Sequence, residues 1–585
     1  MLEHYQDNLK QNRLFGYIDD MRIRSVAWLV VISWLGYSAW SVASPGPFPF
    51  DASPIHSIHV ATNGSNVTGN GTLGNPYRTV QRAAQSAAPG SEIIIHPGTY
   101  SGGDYIYDLQ GNSNLPIWVR GASPTNRPLF HGGSEGFHFT RARYLLIQDI
   151  EVASATANGI NCDDGGQYTN EHASGFLVFS NLFIRDIGAA GNQDGLKLSG
   201  IRDFYIYNLE IARCGGAGSG SGIDMVGCHR GLIEGGSFYD LSGNAIQIKG
   251  GSSDVEIRQC IISNAGHRGV NIGGSTGFEF FRPPLSTNTP AFEAANVRLY
   301  ANIIIGSTAS VAFVGCVDSV VANNTIINPT RWVFRILQET TSASGYTFLA
   351  CASNRFDNNI VHYNHAVLNQ YVNIGPDTLP TTFWVRNNLW YAHNNPAAPP
   401  HALPGHTTNN IFGLPPGFAN ADMGNYRIIL PGAAVTNGAG QVMVRDFDGV
   451  EYLQPPTIGA FEVSGDSDSD GLPDYWELKH FASIFPGAEG DEDADGMTNW
   501  EEWVSDTDPT DATSRLGILD IKIVEGAVHV RWQGGLSANQ YVETQSGYQS
   551  DWVARFTNHP HTSITNAIII ENPDTEEIVR IRARR

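Results

Sequence analysis

The sequence predicts an all-β solenoid, a right-handed parallel β-helix, and three observations predict it. A short apolar-polar-apolar triplet recurs along the chain. Each copy leads into Gly- or Asn-rich turns. Several intervals between copies fall between 22 and 27 residues. The copies are Ile160-Asn161-Cys162, Leu196-Lys197-Leu198, Ile223-Asp224-Met225, Ile246-Gln247-Ile248, Val270-Asn271-Ile272, Ala312-Phe313-Val314 and Phe334-Arg335-Ile336, with middle residues spaced 36, 27, 23, 24, 42 and 22 apart.

A strand alternates its faces, so the flanking residues of each triplet point into a core and the middle residue points out. Further short strands lie between triplets, in "DVEIRQCII", "VRLYANIII" and "SVVANNTII". Triplet, turn, second strand and turn make one rung. A rung buries its inward side chains only when stacked on others, which is why the unit repeats. A propeller needs four strands per unit, more than this period holds. The 585 residues, 64 glycines and 16% charged residues suit a turn-rich β protein.

A solenoid needs its open end capped. In "NPYRTVQRAAQSAAPGSEIIIHPGTY" (75–100), Thr79 to Ala88 reads as a short helix stopped by Pro89-Gly90, and Glu92–His96 reads as the first strand. This segment resembles the N-terminal cap of secreted right-handed β-helix proteins of the pectate-lyase-like superfamily, a resemblance that spans 52–464. It implies the fold more specifically than the reaction.

Ahead of it, residues 1–43 read as an N-terminal extension and an export signal. Met21-Arg22-Ile23-Arg24 is the basic start, with Met21 the expected initiator, Val26 to Leu35 the apolar stretch and Ser41-Val42-Ala43 the cleavage site. A secreted protein, with no stable membrane span once the signal is removed, is the expectation, and a monomer is expected. The six cysteines show no CxxC spacing, which argues against zinc, and read as small buried hydrophobes.

The net charge of −22 is unevenly spread: between Gly465 and Ala512 stand 15 acidic residues and one lysine. Such a chain has no electrostatic footprint for nucleic acid. The acidic segment, 465–512, contains two loops of one pattern. Asp466, Asp468, Asp470, Gly471, Asp474 and Glu477 occupy positions 1, 3, 5, 6, 9 and 12 of an EF-hand loop, and Asp491, Asp493, Asp495, Gly496, Asn499 and Glu502 repeat them 25 residues on. Calcium requires such hard oxygens, a glycine at the sharp turn and a bidentate glutamate at the end. The loops resemble dockerin and thrombospondin type 3 repeats. Pro473 at position 8 departs from a paired EF-hand, so a structural calcium clasp is expected. Residues 513–585 read as a small β-rich module, sandwich-like, with no catalytic pattern.

The outward column on the triplets is then Asn161, Lys197, Asp224, Gln247, Asn271, Phe313 and Arg335, with Asp163, Ser199, Val226, Lys249 and Gly273 two residues further along each strand. Asp194, His267 and Arg268 flank it. An insertion at 278–296 supplies a wall with Glu279 and Arg282. Candidate catalytic residues are Lys197, Asp224, Asp194, Lys249, His267 and Arg268, and candidate substrate-binding residues are Gln247, Asn271, Arg282 and Arg335.

Interleaved cations and carboxylates in a long groove suit an acidic, uronate-containing polysaccharide. In β-elimination the sugar carboxylate is neutralised and a base takes the C5 proton. Lys197 would be that base, its pKa lowered by Lys249 and Arg268. The resemblance to polysaccharide lyases implies a calcium in the cleft held by Asp224, Asp194 and Asp163. Three alternatives stand beside the lyase. "NQDGLK", "IQIK" and "GHRGVNIG" are similar to polygalacturonase signatures, though Gly243-Asn244 replace the expected aspartate pair. An epimerase would begin with the same proton abstraction. A non-catalytic glycan-binding β-helix would use the face as a surface alone.

Overall fold

A computed structural model of the protein describes residues 52–188, 191–368, 370–440, 445–546, 551–571 and 577–585. The export signal expected within 1–43 lies outside them. The chain divides into two compact units: one takes in residues up to Tyr426 plus Gly432–Glu462, the other Arg427–Pro431 and Val463–Arg585.

The first unit is the expected solenoid. Among the described residues it has three parallel sheets that run along one axis. A ten-stranded sheet carries the triplets, from Asp104–Tyr107 to Val372–Ile374, and is called the cleft sheet below. A second sheet begins at His56–Val60, and a third runs from Thr99–Ser101 to Ile411–Phe412. Ile160–Asp163, Ser174–Ser180 and Phe183–Arg185 make one rung; Leu196–Ser199, Ile201–Tyr207 and Glu210–Ala212 make the next.

A rung thus has three strands, not two. "DVEIRQCII" contains parts of Ser252–Arg258 and Ile261–Ala265, broken at Gln259, where φ is +53°. Ala301 and Asn323 break the other two strings in the same way. One left-handed residue turns the chain between sheets without interrupting its apolar run, so composition does not reveal the corner.

The flanks of the triplets are inward: Ile223, Met225, Ile246, Ile248, Val270 and Ile272 are fully buried in one continuous core from Ile58 to Ala392. One triplet is off by a residue. Asn271 pairs with Ala312 and Ile272 with Phe313, so Ala312 takes the outward position and Phe313 is buried in the core. The string Val-Ala-Phe-Val is apolar throughout and fits both registers, but only the one with Phe inside fills the core.

At the corner between the second and third sheets lies an internal asparagine ladder. Asn302, Asn324, Asn359, Asn388 and Asn410 stack so that each Oδ1 accepts from the backbone of the rung before, as in Asn324 N to Asn359 Oδ1 at 3.0 Å and Asn359 N to Asn388 Oδ1 at 2.8 Å. Each Nδ2 donates to a backbone carbonyl, which satisfies buried groups that a turn would otherwise orphan.

The cap helix is shorter than expected, Val80–Ala84, with Thr79 as its N-cap, and it buries Val80 and Ala83. The strand at Ser91–Ile95 is preceded by His56–Val60, which pairs with it. All six cysteines are buried and free. No helix among the described residues is long and apolar enough to cross a membrane.

In the second unit, two short helices, Asp474–Phe481 and Asn499–Ser505, follow the two acidic loops. Two antiparallel three-stranded sheets complete it, packed around Val530, Trp532, Val542 and Ile570.

Candidate functional site

The register of the cleft sheet stacks Tyr105, His138, Asn161, Lys197, Asp224, Gln247, Asn271, Ala312, Arg335 and Asn373 in one outward column. Its middle forms the floor of a cavity of about 710 Å³. Asn161, Asp163, Lys197, Ser199 and Lys249 line it from the sheet, Tyr107 and Arg141 from one side, and Thr276 with Phe280 and Arg282 of the insertion from the other.

The insertion is held down by two buried acids. Arg282 donates to Asp164 through Nε (2.6 Å to Oδ2) and Nη2 (3.0 Å to Oδ1), and its guanidinium lies 4.3 Å over the Tyr168 ring. Gly200 is required beneath this pair, because a Cβ there would sit 2.3 Å from Asp164 Oδ2. Glu293 accepts from Gly250 N, Thr276 N, Thr276 Oγ1 and Thr340 Oγ1. Arg282, expected to bind substrate, is therefore largely consumed as a clamp.

Lys197 bridges two buried carboxylates. Its ammonium contacts Asp224 Oδ2 and stands 3.4 Å from Asp194 Oδ2, while Lys249 Nζ stands 3.7 Å from Asp224 Oδ1. Asp194 is further tied to Ser221 N at 2.7 Å. Both aspartates are essentially inaccessible and lie behind the lysines, outside the cavity lining. Burial alone would lower the Lys197 pKa, but Asp224 and Asp194 outweigh it and raise it. This overturns the expected base: no like-charge crowding frees Lys197 of its proton. Burial and the neighbouring Asp224 push Asp194 up to about 6. For Asp224 burial acts upward too, but Lys197 and Lys249 outweigh it and hold the carboxyl below its ordinary range.

The expected cleft calcium does not fit these residues. A lysine ammonium already fills the space between Asp194 and Asp224. Asp163 is engaged elsewhere, accepting from Gly165 N at 2.8 Å and lying 2.6 Å from His138 Nε2.

Other expected residues fall outside the cavity. His267 is exposed at a turn, and Arg268 donates to Asn271 Oδ1 (2.7 Å) and Glu339 Oε1 (2.6 Å). Gln247 and Asn271, expected to bind substrate, are buried and internally bonded, Gln247 to Asn244 and Ser221, Asn271 to Arg268 and Gly273. Arg335 faces out and donates to Asn373 Oδ1 at 2.9 Å.

Sequence reasoning misses His138 and Glu135. His138 sits between Glu135 (Nδ1 to Oε2, 2.9 Å) and Asp163. Burial would lower its pKa, but the bonds to Asp163 and Glu135 outweigh that and raise it to about 9. A signal exists: Phe137-His138-Phe139 is itself an apolar-polar-apolar triplet, 23 residues before Asn161.

The two acidic loops have matching geometry. Carboxylate oxygens of Asp466, Asp468 and Asp470 lie within 4.8 Å of one another, as do those of Asp491, Asp493 and Asp495. Asp466 accepts from Asp470 N and Gly471 N, and Asp491 from Asp495 N and Gly496 N. Glu477 and Glu502, at position 12, are fully buried, and neither oxygen of either carboxylate has a hydrogen-bond partner. Such orphaned carboxylates fit a bidentate calcium ligand. Asn499 Oδ1 is likewise buried and unpartnered. Asp474 differs: its carboxylate is satisfied by Ser467 N (2.8 Å) and Oγ (2.6 Å), so it closes the loop and is not free to ligate directly.

A family profile described as "Right handed beta helix region" matches residues 135–291. No curated protein matches the chain. Among solved structures, the chain is similar to pectate lyase Pel9A (15% identity, 72% of this chain and 99% of that one, TM-score 0.45). It is also similar to an alginate lyase from Paenibacillus sp. str. FPU-7 (15%, 56% and 98%, 0.36) and to a GH136 lacto-N-biosidase from Eubacterium ramulus (12%, 61% and 68%, 0.39).

Proposed function

We propose that the β-helix is a carbohydrate-active enzyme that cleaves a uronate-containing polysaccharide by β-elimination in the cavity over Lys197 and Lys249. The observation that carries this reading is the order of charges: two ammoniums face the cavity, and the carboxylates that hold them lie behind. Lys197, fixed by two acids, is a permanent cation that binds the uronate carboxylate and lowers the acidity barrier at C5. Lys249 has a looser hold, with Asp224 at 3.7 Å, and is the base that takes the C5 proton. The C5–H electrons become the C4–C5 double bond, the C4–O bond breaks, and the leaving oxygen takes the proton back from Lys249.

Hydrolysis is the second reading, favoured by one observation. Asp194 and Asp224 have pKa values driven apart, as in an acid and base pair. It is weaker because inverting and retaining glycosidases both need carboxyls that flank the bond, and these two sit behind Lys197.

In the same reading each acidic loop of the second unit binds one calcium ion, through Asp466, Asp468, Asp470 and Glu477 or Asp491, Asp493, Asp495, Asn499 and Glu502, as a structural clasp. A polymer substrate agrees with the export signal expected within 1–43. The test is ultraviolet absorbance on uronate polysaccharides. Elimination leaves a conjugated unsaturated end that absorbs, whereas hydrolysis yields reducing ends without it.

A further inference from the structure

Beyond the cavity the cleft sheet continues through Asn271, Ala312, Arg335 and Asn373. Arg331 and Arg335 both lie against Trp332, their guanidinium carbons 4.1 and 4.5 Å from its ring centroid. Among the described residues, neither has a carboxylate in ion-pair contact; Arg335 donates only to the neutral amide of Asn373. Arg268 adds a third guanidinium nearby and is answered by Glu339. Burial is the main cause that lowers the Arg335 pKa; Arg268 and Arg331 add to it, and Glu339 opposes it. On a chain of net charge −22, two adjacent arginines ordered by a tryptophan and with no acid in ion-pair contact form a site for an anion.

We infer that Arg331 and Arg335 form a distal subsite for a second carboxylate of the same polyuronate chain, an inference that rests on the uronate reading of the cavity. Guanidinium pairs suit planar carboxylates. Arg335 stands five rungs from Lys197 along the column, about 24 Å at one strand spacing per rung. One pyranose in an extended chain is about as long as one rung is high. A chain of about six residues laid along the axis therefore reaches both sites, and a dimer reaches only one.

The experiment uses the full chain at low temperature, where turnover is slow. Size-fractionated dimers and octamers from polygalacturonate, alginate and hyaluronan are titrated against the wild type and the Arg331→Gln/Arg335→Gln variant. The wild type is expected to bind one octamer at least about tenfold more tightly than its dimer. The variant is expected to bind the dimer unchanged and to lose that gain, and Arg331→Lys/Arg335→Lys is expected to keep part of it, as a control for folding. Unchanged octamer affinity in the glutamine variant, with binding intact in the wild type, would overturn the distal subsite and leave the cavity reading standing. No binding of any oligouronate to the wild type would overturn both.

Discussion

His138 provides a prediction whose size can be worked from the structure. Its imidazole is bracketed by Glu135 and Asp163 at 2.9 and 2.6 Å and its side chain is 20% exposed. A pKa raised from 6.5 to about 9 corresponds to about 3.4 kcal/mol at ~1.36 kcal/mol per pKa unit, and solvent screening of a partly exposed group brings this to about 1–2 kcal/mol. Because the folded-state value is the higher one, the stabilisation is fully present below pH 6.5 and is lost as pH rises toward 9. Gln at this position keeps a hydrogen-bond donor but no charge. In denaturant unfolding, His138→Gln is therefore expected to trail the wild type by about 1–2 kcal/mol at pH 6 and to match it near pH 9.5. A stability gap that does not change with pH, or an NMR titration placing the His138 pKa at or below 6.5, would refute the reasoning. The His138 contact also engages Asp163, expected to hold a cleft calcium.

The remaining predictions follow from the same contacts. Lys197→Met leaves Asp194 and Asp224 buried without their shared cation and is expected to cost about 3–5 kcal/mol in unfolding experiments. Asn359→Ala removes the acceptor of Asn324 N and Nδ2 and the donor to Val321 O. Loss of about 3 kcal/mol is expected, more than for an exposed asparagine. Calorimetric titration is expected to find two calcium ions per chain. Glu477→Gln and Glu502→Gln should each abolish one, and a chelator should lower the melting temperature of the second unit alone.

The parts of this protein legible in its sequence are those fixed locally. The two acidic loops declare themselves because their oxygens and glycines fall at set offsets. The triplet flanks declare themselves because inward positions tolerate only apolar residues. The outward positions obey no such rule. Ala312 is apolar for want of bulk, so the register around Phe313 is ambiguous in one dimension and settled by core volume in three. The corners at Gln259 and Ala301 are invisible because a single left-handed residue turns the chain. The later corners are marked by the Asn-Asn pairs at 323–324, 358–359, 387–388 and 409–410, the first residue turning and the second joining the ladder. Roles in the cleft are the least legible. Lys197 and Lys249 look alike as residue types, and only the structure shows that Lys197 bridges two buried carboxylates while Lys249 stands 3.7 Å from one. Arg282 was readable as an available cation because Asp164, its partner, lies 118 residues away.

The most direct test of the central claim is ultraviolet absorbance during incubation with polygalacturonate, alginate and hyaluronan, comparing the wild type with Lys249→Met. A rising signal in the wild type, absent in the variant while oligouronate binding persists, is the expected result. New reducing ends without a rise in absorbance would contradict it and move the chemistry to Asp194 and Asp224.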